Sequence, residues 1–299
     1  MSSDDRLQIG GVSLSSPDKV LFEEDSITKS DLARYYEQAR QRMLPHLKRR
    51  LISLVRCPDG RARPCFFQRH GGKGFPEAVR RLEIAEKSGD KDEYLYIDDL
   101  KSVIAAVQMS TLEFHIWGSR IDRLEFPDRL VFDLDPDQEL DFNAVRSAAF
   151  AVRARLADLG LRTVALLTGG KGIHVVAPLE RRRQWADVKD FARGFAKRLS
   201  DDEPERFLAE ASKAKREGRV FVDWLRNERS ATAIAPYSTR AKPGAPVATP
   251  VSWSELEAIT SSSAFNLTSM PERLKAPDPW AESADWRQSI TDKMLKAVH

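Results

Sequence analysis

Two apolar segments, Arg162–Leu167 and Ile173–Ala177, are separated by only five residues, Thr168-Gly169-Gly170-Lys171-Gly172. Both read as short buried strands. A parallel connection needs a crossover of a dozen residues or more, so this glycine-rich turn can only join them antiparallel. The same limit applies to Leu51–Val55 and Cys65–Gln68, between which Pro58-Asp59-Gly60 reads as a turn. Around these lie the strands Arg129–Asp135, ended by Pro136, and Val220–Asp223. Amphipathic spacing predicts helices over Phe142–Leu159, closed by Gly160, and over Gln184–Leu199. The fold class that follows is α/β of the α+β kind: a mixed or antiparallel sheet flanked by helices.

Further elements are read the same way. Thr28, with Asp31 three residues on, caps a helix whose apolar positions Leu32, Tyr35, Tyr36, Ala39 and Met43 recur until Pro45 stops it. Tyr35 and Tyr36 read as packing residues of that helix. Lys101–Leu112 and the more charged Pro204–Arg216 read as helices. Lys242–Pro250, rich in Pro, Gly and Ala, reads as an extended connector, and Trp253–Ile259 as a short helix. The Ser- and Trp-rich remainder shows no clear period. With no internal repeat, residues 1–299 are expected to form a single domain.

Hydrophobic residues make up 41% of the 299, enough for a sizeable core. No apolar run approaches the roughly 20 residues needed to span a bilayer, and the polar start, Met1 to Gly10, does not resemble a secretory signal. Cys57 and Cys65 are too few for a disulfide framework and lack partners for a four-ligand zinc site; a reducing cytoplasm is the simplest expectation. The five histidines are scattered. Net charge is only +3, yet ten Lys or Arg fall between Arg40 and Lys73 against one acid, Asp59. That local excess suits a nucleic acid; acids supplied from elsewhere in space would make it an ordinary solvated surface.

Residues two apart on a strand share a face, so Asp133 and Asp135 of Leu130-Val131-Phe132-Asp133-Leu134-Asp135-Pro136 project together while Phe132 and Leu134 point the other way. Two carboxylates on one face repel unless a cation lies between them, and hard divalent ions favour such oxygen ligands. The plainer alternative is a turn after a strand. Asp223, ending Val220-Phe221-Val222-Asp223, is a third acid if its strand lies beside the first. In Thr168–Gly172 the glycines let a ligand approach the backbone, Lys171 adds a cation, Thr168 a hydroxyl, and His174 lies two residues beyond. The turn is not a Walker A loop, since Gly follows Lys171 and no helix follows the turn. A plain hairpin turn fits its spacing as well.

An Asp-x-Asp strand, then (Ser/Thr)-Gly-Gly-Lys-Gly-x-His between strands, then a lone Asp ending a strand: this order resembles the archaeo-eukaryotic primase superfamily. It is more similar still to the polymerase domain of bacterial DNA ligase D, the non-homologous end-joining ligase. Supporting pieces include Asp18-Lys19-Val20-Leu21-Phe22, Ile27-Thr28-Lys29, Arg56-Cys57-Pro58-Asp59-Gly60, Phe66-Phe67-Gln68-Arg69-His70 and Pro236-Tyr237-Ser238-Thr239-Arg240, so that the likeness runs from about Asp18 to Trp253.

The resemblance implies a primase-polymerase fold with an RRM-like sheet, and an enzyme adding (ribo)nucleotides to a 3′-hydroxyl at gaps or broken ends bearing a 5′-phosphate. It implies two divalent ions, Mn2+ or Mg2+, on Asp133, Asp135 and Asp223. Thr168, Gly170, Lys171 and His174 match the motif that contacts the incoming NTP or dNTP. Arg240 matches an arginine near the triphosphate, and His115 a histidine of the nucleotide pocket. Lys19 and Lys29 match the 5′-phosphate lysines. Phe66, Phe67 and Arg69 match template-contacting residues, although one of two adjacent aromatics on a strand should face the core. Implied partners are DNA, Ku and a DNA ligase, in a bacterial cytoplasm at the nucleoid and with no membrane. Three departures stand out: Thr168 replaces a usual Ser, Arg69 a usual Lys, and Glu23 a usual Pro. The Lys-x-Asp-Gly signature of a ligase is absent. Two rival readings use the same residues: a non-catalytic module that binds and bridges DNA ends, and a metal-dependent phosphoesterase.

Overall fold

The structure, a computed structural model, describes residues 7–72, 74–86, 89–212 and 214–299. The chain forms two compact units. The first takes the chain up to Ile116, then Ile234–Ala248 and Phe265–Ala276; the second takes Trp117–Ala233, Thr249–Ala264 and Pro277–His299.

In the first unit the strand Arg50–Arg56 is the hub. It pairs antiparallel with Phe66–Gln68, with Thr111–Trp117 and with Lys91–Ile97, which in turn pairs with Arg80–Ala85. The helix Lys29–Leu47 starts at Thr28, where Thr28 and Asp31 form a reciprocal capping box. It does not stop at Pro45. A proline removes one backbone donor, and so close to the helix end that loss is tolerated; Leu44 C=O is satisfied by the Lys48 N–H at 2.8 Å. Tyr35 and Tyr36 are buried as expected. The Tyr35 hydroxyl donates to Tyr237 C=O at 2.7 Å, and the Tyr36 hydroxyl lies 2.9 Å from Thr239 Oγ1. The helix expected over Lys101–Leu112 is Leu100–Gln108. Ser110 adopts a positive φ of 58° that ends it, and Leu112 belongs to the next strand. Cys57 and Cys65, expected to stand outside any disulfide framework, are joined by a disulfide with Cα atoms 4.4 Å apart. The reason is register: Arg56 opposes Phe66, so the next positions outward, Cys57 and Cys65, also face one another.

The second unit holds a six-stranded sheet in the order Phe207–Leu208, Val220–Asp223, Arg129–Pro136, Ile173–Pro178, Val164–Leu167, Thr249–Val251. Only the first pair is parallel, so the sheet is mixed. The helices Phe142–Asp158 and Trp185–Asp202 pack on it; the Phe132 and Phe195 rings lie 4.8 Å apart. Two expectations are corrected. Pro204–Arg216 is not a helix: Phe207–Leu208 forms a strand there, buried beside Val220–Asp223, and Lys213 lies outside the described residues. The connector Lys242–Pro250 ends as a strand, because Thr249 and Pro250 continue into the sheet beside Leu167 and Leu166. The final segment also has a seat. The Trp280 indole donates to Ala165 C=O at 3.0 Å, and the Gln288 side chain bonds both N–H and C=O of Arg162. Among the described residues no helix is long and apolar enough to cross a membrane.

Candidate active site

On the strand Arg129–Pro136, Phe132 and Leu134 are fully buried while Asp133 and Asp135 reach the other face, half-buried. Asp133 sits in register with Asp223 on one side and with His174 on the other. Three residues far apart in the chain thus form one row across three strands. His174 Nε2 lies 3.4 Å from Asp133 Oδ1. Asp223 is buried, and burial pushes its carboxyl above the usual range; Arg226 pulls it back, and the neighbouring Asp133 charge adds to the rise.

Two cations missed by sequence reasoning occupy this face. The Arg226 guanidinium lies 3.2 Å from Asp133 Oδ2 and 3.0 Å from Asp223 Oδ2. Arg216 is ion-paired with Asp135. Their spacing gave a weak signal: Arg226 follows Asp223 by three residues, but only the strand register brings it to Asp133. Among the described residues no three His, Cys, Asp or Glu side chains converge tightly enough to form a metal cluster. The donor chemistry of the Asp133–Asp223 pair nonetheless fits a hard divalent cation, because a cationic group already bridges the two carboxylates there.

The turn Thr168–Gly172 lies directly against these acids. A Cβ on Gly172 would come within 2.5 Å of Leu134 C=O and 3.4 Å of Asp133 Oδ1, so only glycine fits. Gly169 takes a positive φ of 67°. The Thr168 hydroxyl is engaged inside the turn: it donates to Gly172 C=O at 2.9 Å and accepts from the Gly170 N–H at 3.3 Å. Lys171 is exposed, and a cleft of about 540 Å³ is lined by Lys171, Asp135, Arg216 and Glu217. Asn227, also missed, continues the sheet beyond Asp223. Its side-chain oxygen accepts from the Val131 N–H and its amide donates to Val131 C=O, both at 2.7 Å.

The remaining candidates belong to the first unit. His115 and Arg240 meet on one buried carboxylate, Glu113. His115 Nε2 is 2.7 Å and Arg240 Nε 3.2 Å from Glu113 Oε2, and the Ala241 N–H donates to Oε1 at 2.8 Å. Burial alone would raise the Glu113 carboxyl; the His115 hydrogen bond and the Arg240 charge outweigh it and hold the group down at about 2. Glu113 went unnoticed in the sequence, although it lies two residues before His115 and so on the same strand face. Lys29 is buried, with Nζ donating to Ser15 C=O at 2.8 Å; burial, then the nearby positive charge of Lys19, lowers its pKa. Lys19 donates to Pro58 C=O and lies 3.9 Å from the exposed Asp59. Both phenylalanines are exposed, Phe66 by 46% and Phe67 by 56%, so neither is a core residue. Arg56 packs over the Phe66 ring at 5.3 Å, and the Phe67 and His115 rings are 5.1 Å apart. Arg69 is exposed. Not all of the basic stretch faces solvent: Arg50 is buried, with Nε donating to His46 C=O at 2.9 Å, and Lys73 lies outside the described residues.

Residues 28–280 match the family described as LigD, primase-polymerase domain. The multifunctional non-homologous end joining protein LigD of Pseudomonas aeruginosa is 38% identical over 296 residues, 98% of this chain and 35% of that protein. The protein of the same name from Mycolicibacterium smegmatis is 34% identical over 82% of this chain and 32% of its own length. The chain therefore spans about a third of these relatives. Among solved structures, the polymerase domain from Mycobacterium tuberculosis ligase D in complex with DNA superposes with a TM-score of 0.84 at 32% identity, covering 92% of this chain and 98% of that one.

Proposed function

Because this chain belongs to the LigD primase-polymerase domain family, we propose that it is a DNA-directed nucleotidyltransferase that adds nucleotides to a 3′-hydroxyl at gaps or broken DNA ends during end joining. The observation that carries the reading is the Asp133–Asp223 pairing with the Thr168–Gly172 turn packed directly on it. Asp133, Asp135 and Asp223 would hold two divalent ions, Mn2+ or Mg2+, which when bound supply Lewis acidity toward the 3′-hydroxyl and the triphosphate. For Asp133 and Asp223 this requires Arg226 to yield its place, and for Asp135 it requires Arg216 to do so. Lys171 and His174 counter the phosphate charge of the incoming nucleotide. His115 and Arg240, locked through Glu113, are assigned to nucleotide binding. Lys19 and Lys29 supply paired cations for a 5′-phosphate, and Phe66 and Phe67 offer exposed ring faces on which bases can stack. DNA with a 5′-phosphate is the proposed substrate and ribonucleotides the preferred addition. Ku and a ligase are the proposed partners, in the bacterial cytoplasm at the nucleoid.

The test is extension of a gapped, 5′-phosphorylated DNA with ribo- and deoxynucleotides, in Mn2+ and in Mg2+. Wild-type protein is expected to extend the primer. Asp133→Ala is expected to bind the same DNA without extending it. DNA binding with no incorporation by the wild type would instead indicate an end-bridging module, and hydrolysis without added nucleotide a phosphoesterase.

A further inference from the structure

The segment Ser261-Ser262-Ser263 carries no periodic signal, yet its three serines differ sharply in the structure. Ser261 and Ser263 share a hydrogen bond at 2.9 Å near the surface, whereas Ser262 is only 2% exposed. The Ser262 hydroxyl accepts from the Thr168 N–H at 3.1 Å and donates to Gly172 C=O at 2.5 Å. The Ser262 C=O also accepts from the Gly169 N–H at 3.1 Å. One residue therefore ties both ends of the glycine-rich turn, through one donor and two acceptors.

We infer that Ser262 is a positioning residue for the nucleotide site, one that holds the Thr168–Gly172 turn in its phosphate-receiving shape. The inference rests on the reading that this turn receives the triphosphate. A turn with three glycines in five residues has a large conformational freedom to lose on binding. Fixing it beforehand removes that cost from the binding step. The Thr168 hydroxyl closes the turn from within, but it belongs to the turn and moves with it. Ser262 anchors the turn from a separate segment. Gly172 packs directly on Leu134 and Asp133, so drift of the turn alters the distance between Lys171 and the carboxylates. Ser262 reaches no phosphate itself; its effect falls on nucleotide affinity.

The experiment compares wild type, Ser262→Ala and Ser262→Thr on gapped, 5′-phosphorylated DNA. The readouts are KM and kcat for the nucleoside triphosphate, Kd for the DNA without nucleotide, and amide hydrogen exchange of residues 168–172. For Ser262→Ala we expect KM to rise about tenfold, as for the loss of about 1.4 kcal/mol. We expect kcat and DNA Kd to change less than about twofold, below the effect of one net hydrogen bond, and the turn amides to exchange faster. Ser262→Thr keeps the hydroxyl and is expected to restore the low KM. An unchanged KM in Ser262→Ala overturns the assignment, as does a parallel collapse of KM, kcat and DNA Kd, which would mark general loosening. Wild-type protein that neither binds nor incorporates nucleotide overturns the polymerase reading, and this assignment with it.

Discussion

Asp133 and Asp223 face one another across adjacent strands, where water cannot screen them fully, and the structure meets their repulsion with the Arg226 guanidinium. In the first unit the opposite arrangement holds: one buried anion, Glu113, gathers the Arg240 guanidinium and the His115 imidazole. Its ionisation has a consequence for stability. Burial opposes the charge, but the His115 and Arg240 interactions win, so folded Glu113 titrates at about 2 against an ordinary value of 4.5. The folded state therefore binds this proton more weakly than the unfolded chain does. The stabilisation is complete above pH 4.5 and is lost as pH falls toward 2. It amounts to on the order of 3 kcal/mol. Glu113→Gln is expected to flatten this part of the acid limb when urea unfolding is measured from pH 6 down to pH 3. An acid limb in the variant as steep as in the wild type would count against the assignment.

At the scale of elements, the strand Val220–Asp223 is too short to cover its neighbour. The side chain of Asn227, only 1% exposed, acts as the next rung by bonding both N–H and C=O of Val131. Replacing it by Ala leaves a buried donor and a buried acceptor unpaired. At about 1–3 kcal/mol each, Asn227→Ala is expected to cost roughly 2–6 kcal/mol in a denaturant titration. A loss under about 0.5 kcal/mol, the size of an ordinary surface change, would refute that accounting. The main strands beside Asn227 were legible in the sequence because Phe132/Leu134 and Asp133/Asp135 alternate cleanly. The five-residue turn was legible because its length permits only one connection. The strands Arg80–Ala85 and Lys91–Ile97 were not, because their polar exposed residues hide the period of two. Phe207–Leu208 is too short for any period and exists only through its partner Val220–Asp223. Arg216, Arg226 and Glu113 escaped for a related reason: an ion pair across strands is set by register, which local spacing does not encode. Phe66 and Phe67 defied the alternation rule because, on their three-residue strand, Arg56 over one ring and His115 against the other still leave both open to solvent.

At the scale of the whole molecule, the chain passes between the two units repeatedly, and residues after Trp253 complete both. Phe265–Ala276 gives the first unit its buried Leu267 and Met270. The second unit receives Leu256, Ile259, Trp280, Ile290 and Val298, along with Ser262 at the turn. The family likeness read from the sequence ended near Trp253, so this stretch looked like an appendage; its partners lie about a hundred residues or more upstream, as with Trp280 and Ala165. Removing a single large buried side chain costs about 2–5 kcal/mol. Deleting seven of them, at about 14–35 kcal/mol together, therefore matches or exceeds the roughly 5–15 kcal/mol by which a domain is typically stable. A chain ending at Trp253 is accordingly expected to lose cooperative unfolding in both units, bind a hydrophobic dye and aggregate, where ending the chain at Val298 leaves the melting curve intact. Should the form ending at Trp253 melt in one sharp transition near the full-length temperature, the C-terminal segments would be ornaments on units that fold without them.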